Sequence, residues 1–117
     1  MTGLTLYTWG TPNGWKISTY LEILHLKYNV VAINILKNEQ KQPDFLKLNP
    51  NGRIPTLVDH DKGITISQTG AILLYLAETY DPDHKFSYKY GTPEYWLSLE
   101  ILVFQVAENG YVSKLQL

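Results

Sequence analysis

A proline at the mouth of an apolar run limits what this chain can build. In Ile54-Pro55-Thr56-Leu57-Val58-Asp59 the residues after the proline favour strand, yet proline has no amide hydrogen for a sheet ladder. A strand here must open on Pro55 rather than pass through it. The turn cluster Asn49-Pro50-Asn51-Gly52 leads into it. His60 to Gly63 then forms a hairpin loop, and Ile64 to Ser67 reads as the returning strand. These segments predict an antiparallel pair with a sharply defined start.

The other elements follow from periodicity and punctuation. Leu4 to Thr8 mixes apolar, aromatic and β-branched residues and reads as a first strand. Gly10 to Gly14 is a loop, and a helix begins near Asn13 or Gly14, with Ile17, Leu21 and Leu24 on one face and Tyr20 and Ile23 widening it. Tyr28 to Leu36, rich in Val and Ile, predicts a second strand. Asn38 to Gln42 is polar and loop-like, and Pro43 to Leu48 is a short helix with proline at its start. Thr69 to Tyr80 is a helix apolar nearly all round, which predicts cover on more than one side. Asp81 to Gly91 has the composition of a linker. Thr92-Pro93 then supplies an N-cap and a first helical proline for a last helix running to about Glu108, where Asn109-Gly110 stops it. The order β-α-β-α-β-β-α predicts an α/β domain of the thioredoxin-like type, a mixed four-stranded sheet flanked by helices, over residues 1–80. A linker over 81–92 and the first helix of an all-α region over 93–117 complete the expected organisation.

Composition narrows the function. Ten basic residues against eleven acidic ones leave nothing to attract nucleic acid or an anionic membrane. The longest apolar runs, such as Ala71 to Ala77, are too short to span a bilayer, and the N-terminus shows no secretory signal, so the expected compartment is the cytoplasm. The chain contains no cysteine, which removes disulfides, thiolate metal sites and any thiol nucleophile of its own. His25, His60 and His84 are scattered, and no metal site is expected.

Three segments in order resemble the N-terminal domain of glutathione transferases: Thr11-Pro12-Asn13-Gly14-Trp15-Lys16, the run Asn49 to Asp59, and Ser67 to Ala77. The Thr-Pro-Asn-Gly start is most similar to the nu-class transferases and their fungal relatives, the nitrogen-catabolite regulators. The resemblance covers residues 3–80 and continues in outline to about Gly110. It implies a cis bond before Pro55, where a strand start alone would be served by the trans form. It also implies that the backbone of Ile54 pairs with the cysteinyl part of glutathione as an added strand. Gln68 and Thr69 open a helix whose amides and dipole suit a carboxylate; the family usually has Glu-Ser there for the γ-glutamyl group, so the hydroxyl is kept and the charge is lost. Read from the residues alone, the same pair is a helix cap. Gln40 matches a position that reaches the glycyl carboxylate and Arg53 is placed to assist, against the plainer reading of both as solvated surface residues.

A thiol with an ordinary pKa of about 8.5 is mostly protonated at neutral pH, so the resemblance implies a device for stabilising the thiolate. Without Cys, and with no Ser between Gly10 and Asn13, the candidates are the Thr11 hydroxyl, the Asn13 amide and the amides of the first helix start. Asn13 has a competing role as the N-cap of that helix. Tyr7 is the alternative activator, but it lies within the strand and reads as core. Family members are about twice this length, so the resemblance implies a C-terminally truncated chain retaining one helix of the substrate-binding half. On that helix Tyr95, Leu99, Leu102 and Val106 share a face, with Trp96 and Val103 beside it. The implied activity is glutathione conjugation to a small electrophile, or glutathione-dependent reduction of a peroxide or disulfide, in a homodimer. A glutathione-binding or regulatory module without turnover is the alternative.

Overall fold

The computed structural model describes residues 2–109. Its elements are β1 (Leu4–Thr8), α1 (Pro12–Ile23), β2 (Tyr28–Ala32), α2 (Pro43–Leu48), β3 (Thr56–Asp59), β4 (Ile64–Ser67), α3 (Thr69–Tyr80) and α4 (Pro93–Phe104). The chain divides into two compact units, Met1–Leu73 and Leu74–Leu117, and the division falls within α3.

The first unit is built on a four-stranded sheet in the order β2-β1-β3-β4. β1 and β2 run parallel, whereas β1 with β3 and β3 with β4 are antiparallel. This is the mixed sheet expected of a thioredoxin-like α/β domain. The inner strands carry the core: Leu4 and Leu6 of β1 and Leu57 and Val58 of β3 are buried, as are Ile17 and Leu21 of α1, Phe45 of α2 and Ile72 of α3. Each large apolar side chain buried in this way stabilises the fold by about 1.5–3 kcal/mol. β2 at the edge is different, because four of its five residues are exposed.

β3 begins at Thr56, one residue after the expected opening on Pro55, and two other boundaries in the first unit differ from the sequence expectation for a local reason. α1 starts at Pro12 rather than near Asn13 or Gly14, because Thr11 is the N-cap and its Oγ1 accepts from the Gly14 amide at 3.2 Å. Asn13 therefore sits inside the first turn and caps nothing. β2 ends at Ala32 although Ile33 to Leu36 is as β-prone as the residues before it. Asn34 breaks the run: its side chain accepts from the Leu36 amide at 3.0 Å, while its own amide donates to Glu39 Oε1 at 2.7 Å. The chain then winds through two 3-10 turns, Ile35–Lys37 and Glu39–Lys41, with Asn38 between them in the left-handed region at φ 56°.

In α3, Ile72 and Leu76 are fully buried one turn apart. Ala71, Leu73, Leu74 and Ala77 are half-buried, so the cover is complete on one stripe and partial around it. Beyond α3 the segment expected to be a plain linker is organised by a buried carboxylate. Asp81 accepts from the Lys85 amide at 3.0 Å, the Phe86 amide at 2.9 Å and the Ser87 hydroxyl at 2.6 Å. Thr92 caps α4 by accepting from the Tyr95 amide at 3.2 Å. The α-helix ends at Phe104 and widens into a π turn over Gln105–Asn109, short of a regular helix to Glu108. Tyr95, Leu99, Leu102 and Val106 form its half-buried side, but no residue of α4 is fully buried. Gly110, the second half of the expected stop signal, and residues 111–117 lie outside the described residues.

Candidate functional site

The strand register gathers the sequence-predicted residues at one end of the sheet. Tyr7 of β1 pairs with Thr56 of β3, and Thr56 pairs with Ser67 of β4. On the other side Thr8 pairs with Ala32 of β2. The segments that leave this end are therefore those carrying the candidates. Trp9 to Asn13 follows β1, Ile33 to Lys41 follows β2, Arg53 to Pro55 precedes β3, and Gln68-Thr69 follows β4. Thr11, Asn13, Gln40, Arg53, Ile54, Pro55, Gln68 and Thr69 thus lie on segments that leave one end of the sheet, although 58 positions separate the first from the last. Thr56 Oγ1 and Ser67 Oγ lie 3.0 Å apart and tie β3 to β4 at this end.

At the start of α1, the Thr11 hydroxyl uses a lone pair to cap the helix. A hydroxyl also holds a proton, so capping leaves its donor available to an anion. Asn13 is exposed in the first turn, and its Oδ1 accepts from Lys16 Nζ at 3.2 Å. Gly14 is buried, and a Cβ there would collide with Thr8 Oγ1 and the Trp9 carbonyl oxygen. Only glycine lets the first turn close this tightly on the end of β1. Lys16 also lines an open groove of about 520 Å³ along α1, with Pro12, Trp15, Thr19, Tyr20, Ile23 and Leu73. Burial lowers the Lys16 pKa from its ordinary value.

The segment before β3 is held from beneath by Asn49. This buried side chain donates from Nδ2 to the Arg53 carbonyl at 2.8 Å and accepts from the Asn51 amide at 3.1 Å. The Ile54–Pro55 bond is cis, Pro55 is buried, and Ile54 lies outside the paired part of β3. Gly52, at φ 60°, packs so closely on the Glu39–Lys41 turn that a Cβ would come within 2.9 Å of the Gln40 carbonyl oxygen. Next to this contact, Gln40 Oε1 is buried without a hydrogen-bond partner. Most buried polar atoms in folded chains have a partner, so this one stands out. Arg53 is exposed.

At the head of α3, Gln68 is exposed, and its carbonyl accepts the first helical bond from Ile72 at 2.9 Å. Its φ of 79° is in the left-handed region, a costly conformation for a residue with a Cβ. Thr69 follows as the first helical residue and is 8% exposed. Gln68 therefore precedes the helix in a strained conformation, and α3 starts at the site end of the sheet.

Tyr7 is half-buried and packs its ring on Phe45, with centroids 6.1 Å apart. His60 Nε2 lies 3.0 Å from Thr5 Oγ1. Among the described residues no cluster of His, Asp and Glu could hold a metal ion, and no helix is long and apolar enough to cross a membrane.

Sequence reasoning missed Asn49, Gly14 and the Asn13–Lys16 contact. Asn49 had a signal, since Asn-Pro-Asn-Gly is the composition of an Asx turn. The other two depend on how closely α1 approaches β1, which no local pattern reports.

The model of the glutathione S-transferase N-terminal domain matches residues 2–78. The chain belongs to this family. Glutathione S-transferase 2 of Schizosaccharomyces pombe is 44% identical to it over 114 residues, 96% of this chain and 50% of that protein. A glutathione transferase homologue from Lodderomyces elongisporus, crystallised with two glutathione molecules per subunit, is 55% identical. It superposes with a TM-score of 0.93 over 97% of this chain and 55% of its own. The transferase URE2P8 from Phanerochaete chrysosporium, solved with oxidised glutathione, is 38% identical with a TM-score of 0.89, covering 94% of this chain and 50% of its own. This transferase-family chain spans about half the length of the relatives it matches.

Proposed function

We propose that the chain is the glutathione-binding part of a glutathione transferase, with residues 1–80 as the binding domain, 81–92 as linker and 93–117 as the start of the helical half. The observation that carries this reading is the convergence of all eight candidate residues on one sheet end. Reduced glutathione lies along the segment before β3, with its cysteinyl backbone against Ile54. The γ-glutamyl carboxylate meets the Thr69 hydroxyl and the amides at the head of α3, and Gln68 offers its side-chain oxygen to the ammonium. Gln40, whose buried oxygen has no partner in the chain, and Arg53 serve the glycyl end. The thiol then sits at the start of α1, where the Thr11 proton, the Asn13 amide and the helix dipole stabilise the thiolate.

The chemistry is that of a thiolate nucleophile supplied by the ligand. It attacks a small electrophile, forming the C–S bond as the leaving group departs with its electron pair. With a disulfide it forms a mixed disulfide and expels a thiolate, and a second glutathione resolves the product. With a peroxide, the thiolate attacks one oxygen, the O–O bond breaks and the alcohol leaves after taking up a proton; the resulting sulfenic acid condenses with a second glutathione to the disulfide with loss of water. The crystallised relatives holding two glutathione molecules or the oxidised form support including these redox routes. Reduced glutathione persists in the cytoplasm, and the proposal places the chain there. The exposed apolar side of α4, with Leu97 and Ile101 more than 60% accessible, supports the homodimer.

Calorimetric titration with reduced glutathione tests the site. Saturable binding is expected, weakened about tenfold in Thr69→Ala by loss of a hydrogen bond to a carboxylate. No binding at millimolar glutathione by the folded chain would overturn the proposal. Binding with no turnover of an electrophile, a peroxide or a disulfide would remove the transferase activity and leave the site.

A further inference from the structure

Asn13 offers two different faces to a ligand, a carbonyl oxygen and an amide nitrogen, and only the nitrogen can stabilise a thiolate. A carboxamide in the exposed first turn of a helix is free to present either one. The structure settles the choice through its neighbour one turn on. Lys16 Nζ lies 3.2 Å from Asn13 Oδ1. An ammonium has three donors and no acceptor, so the atom facing it must be the oxygen. The two hydrogens of Nδ2 are then the part of the amide left for another partner.

We propose that Lys16 is a positioning residue for the glutathione thiolate, holding Asn13 by its oxygen so that the amide nitrogen is the group offered to sulfur. This rests on the glutathione site proposed above. Several features of the surroundings fit the role. The lysine stem lies along the α1 groove with Pro12, Trp15, Thr19 and Tyr20, which restrains the side chain on the helix surface. Burial lowers the lysine pKa from its ordinary value, so the ammonium benefits from an acceptor, and Asn13 Oδ1 is one. Thr11 on the other side is also oriented, because its lone pair is committed to the Gly14 amide and its proton is not. The two candidates then act together: each has its acceptor occupied by the helix and its donor left for the ligand. The thiol proton passes to solvent, no bond to the protein forms, and Lys16 stays charged throughout.

The test is the pH dependence of the bound thiolate, followed by its ultraviolet absorbance, with S-methylglutathione as a ligand that has no thiol to ionise. Lys16→Met keeps the apolar stem in the groove and removes the donor. It is expected to raise the pKa of bound glutathione by about 0.5–1 unit, part of the effect of one hydrogen bond to a charged group, and to leave S-methylglutathione binding unchanged. Lys16→Arg, which also has only donors, is expected to restore the wild-type value. In an Asn13→Ala background, Lys16→Met is expected to add nothing. The proposal is overturned if Lys16→Met leaves the thiol pKa unchanged, or if its full effect persists without Asn13, since the lysine would then act on sulfur directly. Failure of the wild-type chain to bind S-methylglutathione would overturn the glutathione site itself and this role with it. Wild-type binding with no response to Lys16→Met would overturn this role alone.

Discussion

α1 and α4 begin in the same way and end up differently. Both are twelve residues long, both have proline as the first helical residue, and both are capped by a threonine that accepts from an amide three residues on, at 3.2 Å. In α1, Gly14, Ile17 and Leu21 are buried; in α4 nothing is. Caps and proline therefore specify where a helix starts and say nothing of whether its apolar face is covered. A short helix draws most of its stability from that cover. α1 has it within a unit built on the sheet, whereas α4 presents Leu97, Ile101 and Phe104 largely to solvent.

The largest effect expected from this contrast is in the core. Leu21→Ala removes a side chain with no exposure and should destabilise the chain by about 2–5 kcal/mol. Ile101→Ala removes one that is 66% exposed in a single chain, and at concentrations too low for the homodimer it should stay within about 0.5 kcal/mol. Urea unfolding of both variants checks this. A comparable loss for Ile101→Ala would show that α4 is covered in solution by an associated copy, and the loss should then depend on protein concentration.

The same contrast explains what could be read beforehand. The succession of elements, the hairpin after Pro55 and the Thr92 cap were legible because each depends on residues close in sequence. Apart from Gln40, the candidate residues came from three separate motifs, and the strand register brings those motifs to one end of the sheet. The early end of β2 was not legible, because the Val-Ile pattern continues past Ala32 and the break depends on Asn34 turning back to Glu39. The threonine cap of α1 was passed over for Asn13, although Thr11-Pro12 has the same form as the correctly read Thr92-Pro93. The role of Asp81 was hidden for a different reason. A linker-like composition carries no sign of a carboxylate collecting three donors from the next six residues.

A smaller effect separates the two caps themselves. Thr11→Ala and Thr92→Ala each remove one side-chain acceptor from a helix start, and each should cost about 1 kcal/mol of local stability. The helices should differ in what else is lost. Thr11→Ala is expected to raise the pKa of bound glutathione, because the hydroxyl proton offered to sulfur goes with the cap, while Thr92→Ala leaves it alone. Hydrogen exchange of the Gly14 and Tyr95 amides reads the cap, and the thiolate titration reads the site. A shift of the thiol pKa in both variants, or in neither, would break the assignment of Thr11.

The smallest effect at neutral pH concerns Asp81, a titrating group of the second unit. Burial pushes the Asp81 carboxyl pKa up, but the Ser87 hydroxyl, the Phe86 and Lys85 amides and the His84 charge together hold it below its ordinary value of 3.8. A carboxylate with a depressed folded-state pKa stabilises the fold above its unfolded value and loses that contribution as pH falls through the folded one. The carboxylate's own contribution is therefore full at neutrality and is lost only below about pH 4. The Thr11 cap, a hydroxyl, has no such limit. Amide signals followed from pH 6 to pH 2 should show Lys85 and Phe86 losing protection only in the acid range, while Gly14 keeps its own. Asp81→Asn should remove the carboxylate's share of that acid transition. A wild-type transition centred above pH 4 would mean that burial outweighs the three donors, and that the carboxyl is raised instead.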